Sequence, residues 1–309
     1  MPKLNTLRHS RTHRILIFGP PKSGKTQLAG ELATHGYNLI WIDMENGHET
    51  LFKLPLEAQE RIELISLRDT KKYPIAIETV LKLIKGKVSI CEQHGKVNCL
   101  LCKKESAPFT DVDVHNMDNK TAIVFDSLTQ LTTSAINNIT KAQPEDYKLQ
   151  TDDWGHLAKL IDVFATTIQQ ADYNVIAISH ETEAETEGKK RTLVPVAGSR
   201  NSSRNIAKAF DHVIYAERKN KKHIFASSTA YMNTILTGSR TDICLEKEAE
   251  ASLISIFEQK EYPQDAPVAG AKQPASPVSS ATAKQPAKQP ANNNGAVAAG
   301  ILAKLRQKK

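Results

Sequence analysis

Short, wholly apolar runs alternate with helix-period stretches over most of the chain. Ile15, Leu16, Ile17 and Phe18 follow one another without a polar break. A run this short cannot fill a helix and lacks the alternation of a half-exposed strand, so it predicts a strand buried on both faces. The same reading places buried strands at 38–43, 62–67, 122–126 and 174–179, and further strands near 212–216, 223–226 and 253–257. Between them the apolar spacing predicts helices over 25–35, closed by Gly36, and over 75–84, 127–140, 152–171 and 203–210. In 152–171 the stripe is Leu157, Leu160, Ile161 and Phe164. Strands alternating with helices imply an α/β fold, a mostly parallel sheet between helices. Residues 181–198 are polar and read as a loop. Residues 86–119 break the alternation and read as an insertion. Residues 1–13 read as a flexible basic arm.

Past residue 263 the composition collapses to Ala, Pro, Gln, Lys and Ser, and Ala-Lys-Gln-Pro-Ala recurs at 271, 283 and 287. Such a segment has too little apolar surface to offset its ordering entropy, so 263–309 is expected to be disordered. Its end, with Val297, Ile301, Leu302 and Leu305 among basic residues, has the pattern of a short amphipathic helix that a partner could take up. The formal charge of +7 is concentrated there, because 263–309 carry seven basic residues against Asp265 alone. The remainder is close to neutral, which argues against a strongly basic nucleic-acid-binding surface on the folded part. No run of about 18 apolar residues suggests a membrane span. The start shows no apolar signal core, so the expectation is a cytoplasmic protein.

Three of the four cysteines fall within twelve residues. Cys91, His94, Cys99 and Cys102 are separated by two, four and two residues. Three thiolates and an imidazole are the donor set of a closed, structural zinc site, so a small zinc-type module is expected at about 86–106. Cys244 stands apart and reads as an ordinary semi-buried residue.

The most specific motif is Gly19-Pro20-Pro21-Lys22-Ser23-Gly24-Lys25-Thr26, which fits G-x-x-x-x-G-K-[ST] between a predicted strand and a predicted helix. Backbone amides of such a loop cradle phosphates. Lys25 is expected to reach the β- and γ-phosphates of ATP, and Thr26 to hold Mg²⁺. Asp126, which ends a buried run, is the candidate for a second magnesium-side acid. Ser127 follows it, so a water-activating carboxylate must come from elsewhere. Glu45, just past the strand at 38–43, is the first candidate and Glu181 the second.

With these motifs in view the chain resembles the RecA-like recombinase superfamily, and most of all its small phage-type ATPases of single-strand annealing and recombination. The resemblance rests on the P-loop, on Trp41-Ile42-Asp43-Met44-Glu45, on Phe125-Asp126-Ser127, and on segments at 194–198, 204–208 and 210–214, and it spans roughly 12–240. It implies a RecA-like ATPase domain over 14–262, with Glu45 as catalytic base and His180, where RecA has glutamine, as γ-phosphate sensor. It further implies a DNA-binding loop with Lys189, Lys190, Arg191 and Arg200, and a cation acting on a neighbouring subunit's site, for which Lys219, Lys221 and Arg240 are candidates. The implied partners are single-stranded DNA, further copies of the chain in a ring or filament, and a single-strand-binding or other replication protein at the tail. A helicase-type or loader motor, or a nucleotide-binding scaffold without DNA-dependent turnover, are the alternatives.

Overall fold

The computed structural model describes residues 12–186, 190–219, 222–226, 234–240 and 252–258. In chain order the elements are β1 (Arg14–Phe18), α1 (Lys25–Gly30), β2 (Asn38–Asp43), α2 (Leu56–Gln59), β3 (Ile62–Ser66), α3 (Ile75–Leu83), β4 (Val88–Cys91), α4 (Leu100–Lys104), β5 (Phe109–Val112), β6 (Thr121–Asp126), α5 (Leu128–Thr140), α6 (Thr151–Gln169), β7 (Asn174–Ser179), β8 (Glu181–Thr186), β9 (Lys190–Pro195), α7 (Arg200–Asn205), β10 (His212–Lys219), β11 (Lys222–Ala226), β12 (Gly238–Ser239) and α8 (Ile254–Phe257).

The main sheet runs β11-β10-β1-β7-β6-β2-β3, with β12 also beside β10. Strands β10, β1, β7, β6, β2 and β3 are mutually parallel, and β11 and β12 pair antiparallel with β10. Alternate residues of each strand feed opposite faces. Leu16, Phe18, Ile42, Phe125 and Val175 join one apolar cluster with residues of α3, α5 and α6. Ile15, Ile17, Trp41, Val124 and Ile176 join the other with Leu28 of α1 and Ile256 of α8. Both faces of β1, β2, β6 and β7 are therefore covered, which is why these strands read as unbroken apolar runs, whereas β3, expected to be buried, is the edge strand and leaves Glu63 and Leu64 exposed. This is an α/β core with a mostly parallel sheet between helices. The parallel order puts the carboxyl ends of β1, β2, β6 and β7 along one edge, where ligands of such sheets bind.

Three further expectations need correction. Within the stretch expected as a loop, Glu181–Thr186 and Lys190–Pro195 are strands: β8 and β9 pair antiparallel, with Thr182 opposite Val194 and Ala184 opposite Thr192. Ala184 and Val194 are buried while the glutamates of β8 point the other way, so the period-two alternation was present but its small inward residues hid it. The run at 253–257 is helical, not a strand. Its buried residues, Leu253 and Ile256, are three apart, and Ser252 Oγ accepts from Ile254 N (3.3 Å). The helix expected at 203–210 starts earlier, because Ser199 caps it by accepting from Ser202 N (3.2 Å), and it tightens into a 3₁₀ turn over Ile206–Ala209.

Most of the arm (1–11), the tail (263–309), Cys244, Lys189 and Lys221 lie outside the described residues. Among the described residues no helix is long and apolar enough to cross a membrane.

Candidate functional site

The P-loop turns directly out of β1 into α1. Gly19 has φ 150°, and a Cβ there would lie 2.0 Å from the Ala216 carbonyl oxygen of β10, so only glycine lets the loop leave the sheet here. Lys25 heads α1, and its ammonium donates to the carbonyls of Gly19 (3.0 Å) and Pro20 (2.8 Å). Burial lowers its pKa below the ordinary lysine value, against the pull of Asp126 and Glu45. Thr26 Oγ1 donates to Asp126 Oδ2 (3.1 Å), which places the two expected magnesium ligands side by side.

Asp126 ends β6, opposite Asp43 at the end of β2. It is almost fully buried, and burial together with the charges of Glu45 and Asp43 pushes its carboxyl up to about 7. The Asp126–Ser127 peptide is cis. Ser127, not Asp126, caps α5, accepting from Gln130 N (3.3 Å).

Glu45 lies in the loop after β2, and two groups hold its carboxylate. Ser127 Oγ donates to Oε1, and His180 Nε2, just past β7, lies 3.4 Å from Oε2. Burial pushes the Glu45 pKa up, but the bonds from His180 and Ser127 and the charge of Lys25 outweigh it and hold the carboxyl below its usual range. Asp43 sets the loop itself: its Oδ1 accepts from Glu45 N (3.1 Å) and Gly47 N (3.2 Å), and its Oδ2 meets His48 Nδ1. His180 N donates to Thr129 Oγ1 of α5 (2.9 Å), which ties the end of β7 to the helix after Asp126.

Lys25, Thr26, Glu45, Asp126, Ser127 and His180 line one cavity of about 520 Å³, shared with Lys22, Ser23, Lys53, Arg218 and His223. Two polar atoms at its wall, Ser23 Oγ and His180 Nδ1, are buried with no hydrogen-bond partner. Buried polar groups are normally paired, so an oxygen-rich ligand fits these vacant positions. Thr26 and Asp126 together would hold a hard divalent cation.

The remaining candidates are scattered. Glu181 accepts from the Tyr215 hydroxyl of β10 at Oε2 (2.8 Å), and its charge acts on Lys25 more weakly than those of Asp126 and Glu45. Arg191 pairs across the hairpin with Glu183 (3.2 Å), and Arg200 opens α7, exposed. Lys190 opens β9 and Lys219 closes β10. Arg240 pairs with Asp211 (3.2 Å), which also binds Arg14, at the start of β1 and so at the sheet edge opposite the P-loop. Sequence reasoning did not single out Asp43, Ser127, Thr129, Arg218 and His223. A polar residue closing an apolar run could have flagged Asp43; no local signal marks Thr129 or His223.

A second cluster lies in the insertion. The donor atoms of Cys91, His94, Cys99 and Cys102 are all within 4.8 Å of one another, and the three cysteines are buried and free, a set able to chelate a metal.

A strand–P-loop–helix unit in a mostly parallel sheet, with two acids at neighbouring strand ends, defines a P-loop nucleoside triphosphatase fold. A model described as "AAA domain" matches residues 11–242, and the chain belongs to that family. No curated protein matches it. A solved structure titled "Crystal structure of the RadB recombinase" is similar at 18% identity over 72% of this chain and 84% of that one, with a TM-score of 0.38.

Proposed function

We propose that the chain is a magnesium-dependent ATPase acting on single-stranded DNA in annealing or strand exchange as a homo-oligomer, with a structural zinc ion in its Cys/His cluster. The observation that carries the hydrolytic part is the position of Glu45, ionised and fixed between Ser127 and His180 in the cavity that holds Lys25, Thr26 and Asp126. Mg²⁺ on Thr26 and Asp126 would supply charge neutralisation at the phosphates. Lys25 leaves the loop carbonyls for the phosphate oxygens. Glu45 takes the proton of the attacking water as the terminal phosphoryl group passes to it, giving ADP and phosphate. His180 has Nε2 on Glu45 and Nδ1 unpartnered, so with both nitrogens protonated it would donate from Nδ1 to the terminal phosphate and report its loss.

The β8–β9 hairpin supports the DNA part. It begins one residue after His180, and Val196 N donates to the His180 carbonyl at its return (2.8 Å), so the phosphate site and the hairpin share one backbone junction. Lys189, Lys190 and Arg191 are consecutive in sequence, and Lys190 and Arg191 open β9. Contacts of such residues with DNA phosphates would be salt-sensitive.

The test is ATP turnover with and without single-stranded DNA for the wild type, Lys25→Ala and Glu45→Gln. DNA should stimulate the wild type. Lys25→Ala should lose nucleotide binding, and Glu45→Gln should bind Mg-ATP normally while turnover falls at least about a hundredfold. Turnover indifferent to DNA would remove the DNA-dependent part. Full activity in Glu45→Gln would remove the base assignment.

A further inference from the structure

The Cys/His cluster is joined to the catalytic loop by an unbroken series of short contacts. Cys91 ends β4, His94 follows in a tight turn closed by Gly95 N donating to the Cys91 carbonyl (2.8 Å), Cys99 caps α4 and Cys102 lies within it. His94 Nδ1 lies 3.1, 3.9 and 4.0 Å from the sulfurs of Cys102, Cys91 and Cys99. A tetrahedral zinc ion, with bonds of about 2.3 Å to sulfur and about 2.0 Å to nitrogen, sets donor separations of about 3.5–3.8 Å, so the cage needs only a small adjustment. Beyond the sulfurs, the cluster's apolar packing is Ala107 and Phe109. So small a core needs a staple.

The turn does not hang free. Gly95 has φ 72°, and a Cβ there would fall 2.6 Å from the Ser66 carbonyl oxygen and 2.8 Å from Leu67 Cα, so the turn lies backbone against backbone on the end of β3. The His94 carbonyl accepts from Arg68 N (3.2 Å), and the Gly95 carbonyl accepts from the buried hydroxyl of Thr79 in α3 (2.9 Å). Leu67 N in turn donates to the carbonyl of Asp43 (2.8 Å), whose carboxylate fixes Glu45 N and Gly47 N.

We propose that Cys91, His94, Cys99 and Cys102 bind one Zn²⁺ ion, and that the metal-held turn seats the end of β3 and, through Asp43, positions the loop carrying Glu45. The second half rests on the hydrolytic role proposed for Glu45. His94, Gly95 and Thr79 are then positioning residues, remote from the nucleotide, that act on the rate and not on affinity.

The metal half is tested on the full chain by elemental analysis and by Co²⁺ substitution. About one zinc per chain and the absorption bands of tetrahedral cobalt thiolate are expected. Both should be lost in Cys99→Ser/Cys102→Ser and kept in His94→Cys, which restores a fourth soft ligand. Metal-free purified protein, or metal retained in the double variant, overturns this half. The positioning half is tested with Gly95→Ala and Thr79→Val, neither of which removes a ligand. Both should keep zinc and Mg-nucleotide affinity. Gly95→Ala should lose about ten- to a hundredfold in kcat, and Thr79→Val less, since small displacements of a catalytic group cost that much. Wild-type kcat in the zinc-loaded variants overturns the coupling and leaves the metal site standing. A wild type that binds zinc but turns over no ATP removes the hydrolytic reading, with the metal result intact.

Discussion

Asp126 carries the sharpest conflict between stability and use. Its carboxyl is buried beside Glu45 and Asp43, and its pKa is about 7 against an ordinary value of 3.8. A raised carboxylate pKa means the folded state holds the proton more tightly than the unfolded chain does. This residue's contribution is therefore most favourable below about pH 4, and it is lost progressively as pH rises to about 7. Asp126→Asn should remove that loss, raising the Tm of the nucleotide-free protein at pH 7.5 by about 5 °C while magnesium-dependent turnover disappears. Thermal melts at pH 5.5 and 7.5 check it; a lower Tm for the variant at pH 7.5 would contradict the electrostatic reading. Ser127 has two tasks at once, capping α5 and donating to Glu45. Ser127→Ala should cost about 1 kcal/mol of stability, measurable by denaturant titration, and should lower kcat with KM little changed.

At the scale of elements, the four strands whose carboxyl ends frame the cavity, β1, β2, β6 and β7, were legible because each is buried on both faces and reads as an apolar run ending in the residues that matter. The P-loop, Asp126, Glu45 and His180 could be placed because they close or follow such runs. The hairpin was not legible: Thr182, Ala184 and Thr192 are too small or polar to signal an inward face, and its charged residues suggested a loop. The run at 253–257 was ambiguous because its Leu-Ile-Ser-Ile-Phe pattern serves a strand or one helical turn equally. The Asp43–Glu45–Ser127–His180 assembly joins residues far apart in sequence and needed the fold. Val194 faces inward from β9 and is buried. Val194→Asp would bury an unpaired carboxylate there. The expected result is basal ATP turnover retained and stimulation by single-stranded DNA lost, read from the ratio of the two rates. Equal stimulation in the variant would take the hairpin out of DNA response.

For the whole molecule, charge and catalysis are separable. The apolar clusters on the two sheet faces draw on described residues up to Phe257, whereas the formal charge belongs largely to 263–309. A chain ending at residue 260 should keep its Mg-ATP affinity and Tm and should keep the hairpin's salt-sensitive retention on DNA in weakened form, having lost the tail's added charge, checked by filter binding from low to moderate salt. Unchanged retention would assign DNA contact to the ATPase core alone. The junction at His180 carries a mechanical corollary. With one residue between β7 and β8, and no slack linker, tension on a DNA strand held along β8 and β9 would reach the phosphate end of the cavity almost undamped. Turnover measured on stretched single-stranded DNA should then depend on the applied force, as in a transducer whose lever is bolted to its valve.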